Sequence, residues 1–261
     1  MKVHCYFLFM ILLYALPISA QEVINPQVKP DKAFIAGENL TFQIRYGFII
    51  AGTTQLSLTD TVYQNKLVFH AFTIVQTTGL ADKIYGVKDV YESWFDKETN
   101  LPFKQISNVK EGRYTKYNEV TYNRNNNTVS SKLSGLHEAP AKILDLSSTL
   151  YYIRRIDFSK VDQGAVVLLN MYFSDEIFPF RFIYMGKENI RTKFGKIRCL
   201  KVNPVVEVGR MFKSSDDLTI WLTDDGNRIP VLIRMDIRIV GSVNLKLLKY
   251  ENIANTAIFQ D

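Results

Sequence analysis

Ile233-Arg234-Met235-Asp236-Ile237-Arg238-Ile239 decides the fold class. Apolar side chains occupy every second position and charged ones fill the gaps. Successive side chains on a strand point to opposite faces, so this stretch has one buried face and one wet face. That is the signature of an antiparallel sheet; parallel strands are buried on both faces and read as continuous apolar runs. Gly241 marks a turn, and residues 244–250 return with Leu245 and Leu247 on one side. The same period occurs earlier, where Leu40, Phe42, Ile44 and Tyr46 alternate with Thr41, Gln43 and Arg45. A turn region over residues 47–52 and a return over 53–59 make a hairpin. Further strands are predicted at 67–76, 87–95, 117–122, 166–173, 180–185, 197–206 and 218–222. Asn123-Arg124-Asn125-Asn126-Asn127 is a turn by composition.

Helices are few. Asp145 is a good N-cap for residues 146–156, with Leu146, Leu150 and Ile153 on one face. Residues 79–85 suit a helical turn or two. No helices alternate with the strands, which excludes a doubly wound α/β fold. The expectation is a mainly β protein: a single strongly curved antiparallel sheet or partly closed barrel, with one main helix and few short ones. Residues 33–261 form the single β-rich domain. Residues 21–32, with Pro26 and Pro30, read as a flexible segment leading into it.

The first twenty residues have the layout of a secretory signal peptide. Lys2 precedes an apolar stretch over residues 6–16, Pro17 breaks it, and Ile18-Ser19-Ala20 offers a cleavage site before Gln21. The stretch is shorter than the roughly 20 residues of a membrane span. No later segment reaches that length, so the cleaved chain is expected to have no transmembrane span. Gln21 stands where a lipoprotein would carry Cys. Cleavage removes Cys5 and leaves Cys199 without an intramolecular partner, so no disulfide framework is expected. Cys199 lies in a predicted strand and reads as a small buried hydrophobe. The formal charge of +6 falls to +5 with the loss of Lys2. The basic residues are scattered, which argues against a nucleic-acid partner. A mild positive excess suits anionic membrane surfaces or a plain solvated exterior.

One pattern occurs twice. Tyr91-Glu92-Ser93-Trp94-Phe95-Asp96-Lys97-Glu98-Thr99-Asn100-Leu101-Pro102 is a strand, an acidic turn, then a proline opening a new strand. Leu218-Thr219-Ile220-Trp221-Leu222-Thr223-Asp224-Asp225-Gly226-Asn227-Arg228-Ile229-Pro230 follows the same plan. Proline fits the first position of a strand, where its missing N–H does least harm. The reading is either two independent hairpins or two related half-sheets.

Phe34-Ile35-Ala36-Gly37-Glu38-Asn39-Leu40, Asp145-Leu146-Ser147-Ser148-Thr149-Leu150-Tyr151-Tyr152-Ile153-Arg154 and the turn at 223–231 together resemble the DUF3108 family of exported bacterial proteins. That family is of unknown function. The resemblance implies a periplasmic location in the bacterial envelope and no activity. The Trp94–Pro102 hairpin also resembles those of the lipoprotein carriers LolA and LolB. Over about ten residues, this second likeness implies a curved antiparallel sheet closed by helices over an apolar cavity.

Chemistry is sparse. After cleavage the histidines are His70, in a strand, and His137, beside Glu138. Neither sits in a nucleophile–base arrangement, and no G-x-S-x-G elbow occurs. Two histidines and a distant cysteine do not make a zinc set. Asp224-Asp225-Gly226-Asn227 would put Met235 where a calcium loop needs its bidentate Glu, so it reads as a hairpin turn. Glu38, Glu92, Glu111 and Glu119 are isolated acids that only the fold can pair. No cofactor or metal is expected. The candidate apolar-ligand contacts are Trp94, Trp221, Tyr91 and Phe95, each of which has a plain core reading as well. The expected function is a non-enzymatic envelope protein binding a lipid or acyl chain in a curved-sheet cavity. The alternatives are a scaffold with a filled core and an envelope protein partner, or an unrecognised envelope hydrolase.

Overall fold

The computed structural model describes residues 23–29, 32–205, 214, 217–237 and 241–257. The leader at 1–20, Gln21, Val206, and Arg238 and Ile239 of the opening alternation lie outside these described residues. The elements are β1 (Val23–Ile24), β2 (Asn39–Tyr46), β3 (Ile49–Tyr63), β4 (Lys66–Thr77), α1 (Gly79–Ile84), β5 (Lys88–Asp96), β6 (Pro102–Glu111), β7 (Tyr114–Asn123), β8 (Thr128–Ser131), β9 (Gly135–Glu138), β10 (Ile143–Leu144) and α2 (Leu146–Arg155). They continue as β11 (Val166–Phe173), β12 (Glu176–Thr192), β13 (Gly195–Pro204), β14 (Leu218–Thr223), β15 (Pro230–Ile237) and β16 (Gly241–Glu251).

Among the described residues these strands form one mainly antiparallel sheet of sixteen strands, and it is not closed. From β11 the order runs through β16, on to β2, and then to β9. Bulges at Ile44/Arg45, Trp94/Phe95, Tyr184/Lys187, Trp221/Leu222 and Leu247/Lys249 bend it. The free edge of β11 is covered by two short parallel strands, β1 and β10, which blunt it against stray pairing. The two sides of the sheet meet through side chains: Val120, Tyr122 and Val129 pack with Ile143 and Tyr172. The hairpin turn Ser174-Asp175 reaches across that seam, where Asp175 accepts from Asn118 at 3.0 Å and Ser131 at 2.5 Å.

Helix α2 lies on the concave face. Its buried residues are Ser148, Thr149, Tyr151, Ile153 and Arg154. This corrects the apolar face expected from sequence, since Leu146 is exposed and only Ile153 of the three is buried. The physical reason is that polar groups on this face are used up internally. Ser148 closes a capping box with Asp145, and Thr149 donates to the Asp145 carbonyl at 2.6 Å. Around the helix, Phe34, Phe69, Phe95 and Tyr151 interlock with centroid separations of 4.7–5.7 Å. These rings fill the middle of the concavity.

Within the leading segment 21–32, the described residues 23–29 make backbone pairs. Val23–Ile24 pair with Val166–Val167, and Lys29 N–H donates to the Arg155 carbonyl at 2.8 Å. Asp157 N–H donates to the Gln27 carbonyl, and Lys29 forms an ion pair with Asp157. Pro26 does not free residues 23–29, because the exposed edge of β11 and the end of α2 supply partners for their backbone.

Candidate functional site

The two tryptophan hairpins share a register. Trp94 is followed by a bulge that sets Phe95 opposite Pro102, and Trp221 by one that sets Leu222 opposite Pro230. Each turn has a left-handed residue two before its proline, Asn100 (φ 61°) and Arg228 (φ 47°). In each, one aspartate oxygen gathers the turn. Asp96 accepts from the Glu98 and Thr99 amides, and Asp225 from those of Asn227 and Arg228. Both turns then grip the C-terminal end of α2. Arg155 donates to Asn100 Oδ1 at 2.5 Å, Arg154 Nε donates to the Asn227 carbonyl at 3.1 Å, and Arg228 donates to the Arg154 carbonyl at 2.7 Å.

Arg154 is the centre of this anchor. It is 0% exposed and forks onto Glu38, 1% exposed, at 2.6 and 2.7 Å. Its second terminal nitrogen also donates to the Ala33 carbonyl, and its guanidinium sits over the Phe34 and Tyr151 rings. The three stretches that carry the sequence resemblance therefore meet here: 34–40 supplies Glu38, 145–154 supplies Arg154, and 223–231 supplies Asn227 and Arg228.

At the opposite end of α2 a cleft of about 210 Å3 opens on the concave face. Tyr91, Ser107, Val109 and Asn118 of β5–β7 form its floor. Asp145-Leu146-Ser147 and Tyr172–Asp175 wall it. Asp145 is buried and accepts from Ser93 Oγ at 2.5 Å and Ser148 N–H at 2.7 Å. Burial outweighs these bonds and pushes its carboxyl up to about 6. For Asp175 the balance is opposite. Burial would raise it, but donors on Ser131, Ser134, Tyr172 and Asn118 hold it below the usual carboxylate range. Asp89 and Glu111 touch side chain to side chain, and burial raises both; the Asp89 charge lifts Glu111 further. Desolvation, with the Asp89 and Glu111 charges adding to it, pushes the Tyr91 hydroxyl up to about 12. Their direct contact is closer than the roughly 5–9.5 Å separations of glycoside cleavage.

The four expected contact residues do not share one site. Tyr91 lines the cleft. Phe95, four positions on and on the same face, is fully buried under α2 with Phe69 and Tyr151. Strand alternation turns Trp94 and Trp221 to the strand face opposite that of their neighbours Ser93 and Leu222. Trp94 stacks on His70 at 4.4 Å, with Lys104 over its ring. Trp221 is buried beside Ile197 and Cys199 and donates to Glu188 at 3.0 Å. Cys199 is buried, and desolvation pushes its thiol up to about 12, which suits packing and not reactivity. His137 lies in β9 and contacts Ser134 at 2.7 Å. Among the described residues no group of three or more His, Cys, Asp or Glu is placed to hold a metal. No helix among them is long and apolar enough to cross a membrane, which says nothing of strands. The cleft's main polar residues, Asp145 and Asp175, escaped the sequence reading; only the N-cap signal touched either.

The architecture defines the class: a β-barrel-like sheet, open at one seam and folded around a helix. It is similar to the crystal structure of a β-barrel-like protein of the DUF1849 domain of unknown function from Brucella abortus. The TM-score is 0.55 at 10% identity, covering 84% of this chain and 98% of that one. Residues 41–248 match the model of DUF3108, a protein family of unknown function, and the chain belongs to that family. No curated protein matches the chain in sequence.

Proposed function

We propose that this is a non-enzymatic exported protein of the cell envelope that holds an apolar group of a larger ligand in the concave cleft. The observation that carries the reading is the cleft itself, which combines Tyr91, Val109 and Tyr172 with a few convergent polar groups. Its size sets a limit. At about 210 Å3 it falls below the ~300–1,000 Å3 of sites that engulf a drug-sized ligand. A lipid would enter by one short segment and leave the rest outside. The leader of residues 1–20 supports export.

Ser107 lies on the cleft floor, opposite Tyr91 and Asn118 in register. Ser107→Trp should fill the space while leaving the core untouched. Protein purified without detergent is extracted with organic solvent and the extract read by mass spectrometry. A stoichiometric apolar species is expected from the wild type and not from the variant. An extract clean in both would sink the reading.

One observation favours a second reading. The ring cluster of Phe34, Phe69, Phe95 and Tyr151 occupies the concavity that a carrier would keep open. A filled sheet of this kind suits an interaction protein of the envelope.

A further inference from the structure

Antiparallel register puts α1 and the β2–β3 and β6–β7 turns at one end of the sheet. The two ends differ sharply in chemistry. At this end Phe48 is 88% exposed, Ile84 75% and Leu80 68%, and Ile49, Tyr85 and Tyr114 are also exposed. Helix α1 buries no residue at all. At the other end the β5–β6, β7–β8 and β14–β15 turns carry Lys97-Glu98-Thr99, Arg124-Asn125-Asn126 and Asp224-Asp225-Gly226-Asn227. Exposed large apolar side chains occur there too, but they are scattered: Val62 and Leu67 beside the β3–β4 turn, Ile35 before β2 and Val23 on β1.

The apolar tips are tied into one surface. Thr78 N–H donates to the Ala51 carbonyl at 2.9 Å, and Gly112 N–H to the Gly86 carbonyl at 2.7 Å. The Tyr85 ring lies so close to Gly112 that a Cβ there would stand 2.8 Å from it. Exposed Lys83, Lys88, Lys110 and Arg113 are interleaved with this surface, against the exposed acids Asp82 and, at the nearby end of β15, Asp236. None of those four cations forms an ion pair among the described residues. Tyr114 belongs both to this rim and to the mouth of the cleft.

We infer that this rim docks on an anionic lipid bilayer, with Phe48, Leu80 and Ile84 entering the headgroup–acyl boundary and the four cations meeting phosphates. Apolar side chains ringed by Lys and Arg, with tyrosines between, are the makeup of surfaces that lie in a bilayer interface. The same charge argues against a second copy of this chain as occupant. A two-fold contact would press the four cations against their own equivalents. The inference is independent of what the cleft holds.

The test is co-sedimentation of the protein, purified after expression of the full chain, with phosphatidylglycerol/phosphatidylethanolamine vesicles and with phosphatidylcholine vesicles. The wild type should bind the anionic vesicles more strongly. Phe48→Glu/Leu80→Glu/Ile84→Glu should weaken that binding by about tenfold or more. Its melting temperature should not change, because all three side chains are exposed. Lys83→Glu/Lys88→Glu should remove the preference for anionic lipid. Absence of wild-type binding to either vesicle, or equal binding by the triple variant, overturns the inference. So does a lipid-free dimer in sedimentation velocity that the triple variant dissociates, since the rim would then belong to a second copy.

Discussion

Glu38→Gln is expected to destabilise the protein by about 3–5 kcal/mol, the usual cost of leaving one member of a buried ion pair uncompensated. The substitution keeps the shape of the side chain and removes its charge. Arg154 cannot release a proton to escape, because its guanidinium stays charged at any ordinary pH. It is also fully enclosed, so no rotation brings it to water. The measurement is urea unfolding at pH 7, read as a shift in midpoint at constant slope. A double variant tests the mechanism. Glu38→Leu/Arg154→Met replaces the pair with apolar side chains of similar length, which often proves neutral or better. It should recover part of the loss but not all of it, since the Ala33 and Asn227 carbonyls lose their donor. A loss below about 0.5 kcal/mol for Glu38→Gln would mean that water reaches this site and that the anchor does not hold α2.

The anchor shows which parts of this fold were legible in sequence. The strands were readable because their period is local. The alternation at 40–46 and 233–237 survives as β2 and β15. The repeated tryptophan hairpins were readable too, as strand, acidic turn and proline, and their shared register follows from that composition. Their purpose was not readable. Both turns close on α2 through contacts between residues 55 and 73 positions apart in the chain, and Glu38 lies 116 positions from Arg154. Nothing in a local window marks Glu38 as the partner of Arg154. The helix face failed for a related reason. Periodicity scores apolar residues, whereas α2 buries a serine, a threonine and an arginine because each finds its partner inside. The cleft is equally non-local, built from β5–β7, the start of α2 and the β11–β12 turn. Of the four contact residues, Tyr91 alone combined the right strand parity with a position beyond the aromatic plug.

The second large effect is on the pH dependence of stability, and its sign is unusual for an aspartate. Stability should fall as pH rises from about 4 to 6, through the Asp145 carboxyl. In the unfolded chain this group ionises near 3.8, but burial raises it to about 6 in the fold. Below 3.8 it is protonated in both states and costs nothing. Between the two values the unfolded chain has released the proton and the folded chain still holds it, so folding weakens with pH. Above about 6 the carboxylate is ionised in both, and a cost on the order of 3 kcal/mol persists. Asp96, Asp157, Asp175 and Glu188 are held below their usual range and act oppositely, losing stability as pH falls through the acid range. A wild-type curve mixes both trends, so Asp145→Asn is the instrument that separates them. Asparagine caps a helix as well as aspartate does. Its amide oxygen can still accept from Ser148, and its NH2 can donate to Ser93 Oγ. The difference in unfolding free energy between variant and wild type should therefore grow in the variant's favour, by on the order of 3 kcal/mol between pH 4 and 7. A difference that stays flat with pH would show that Ser93, Ser148 and the helix N-terminus stabilise the carboxylate fully, and that α2 is capped by an ordinary ionised aspartate.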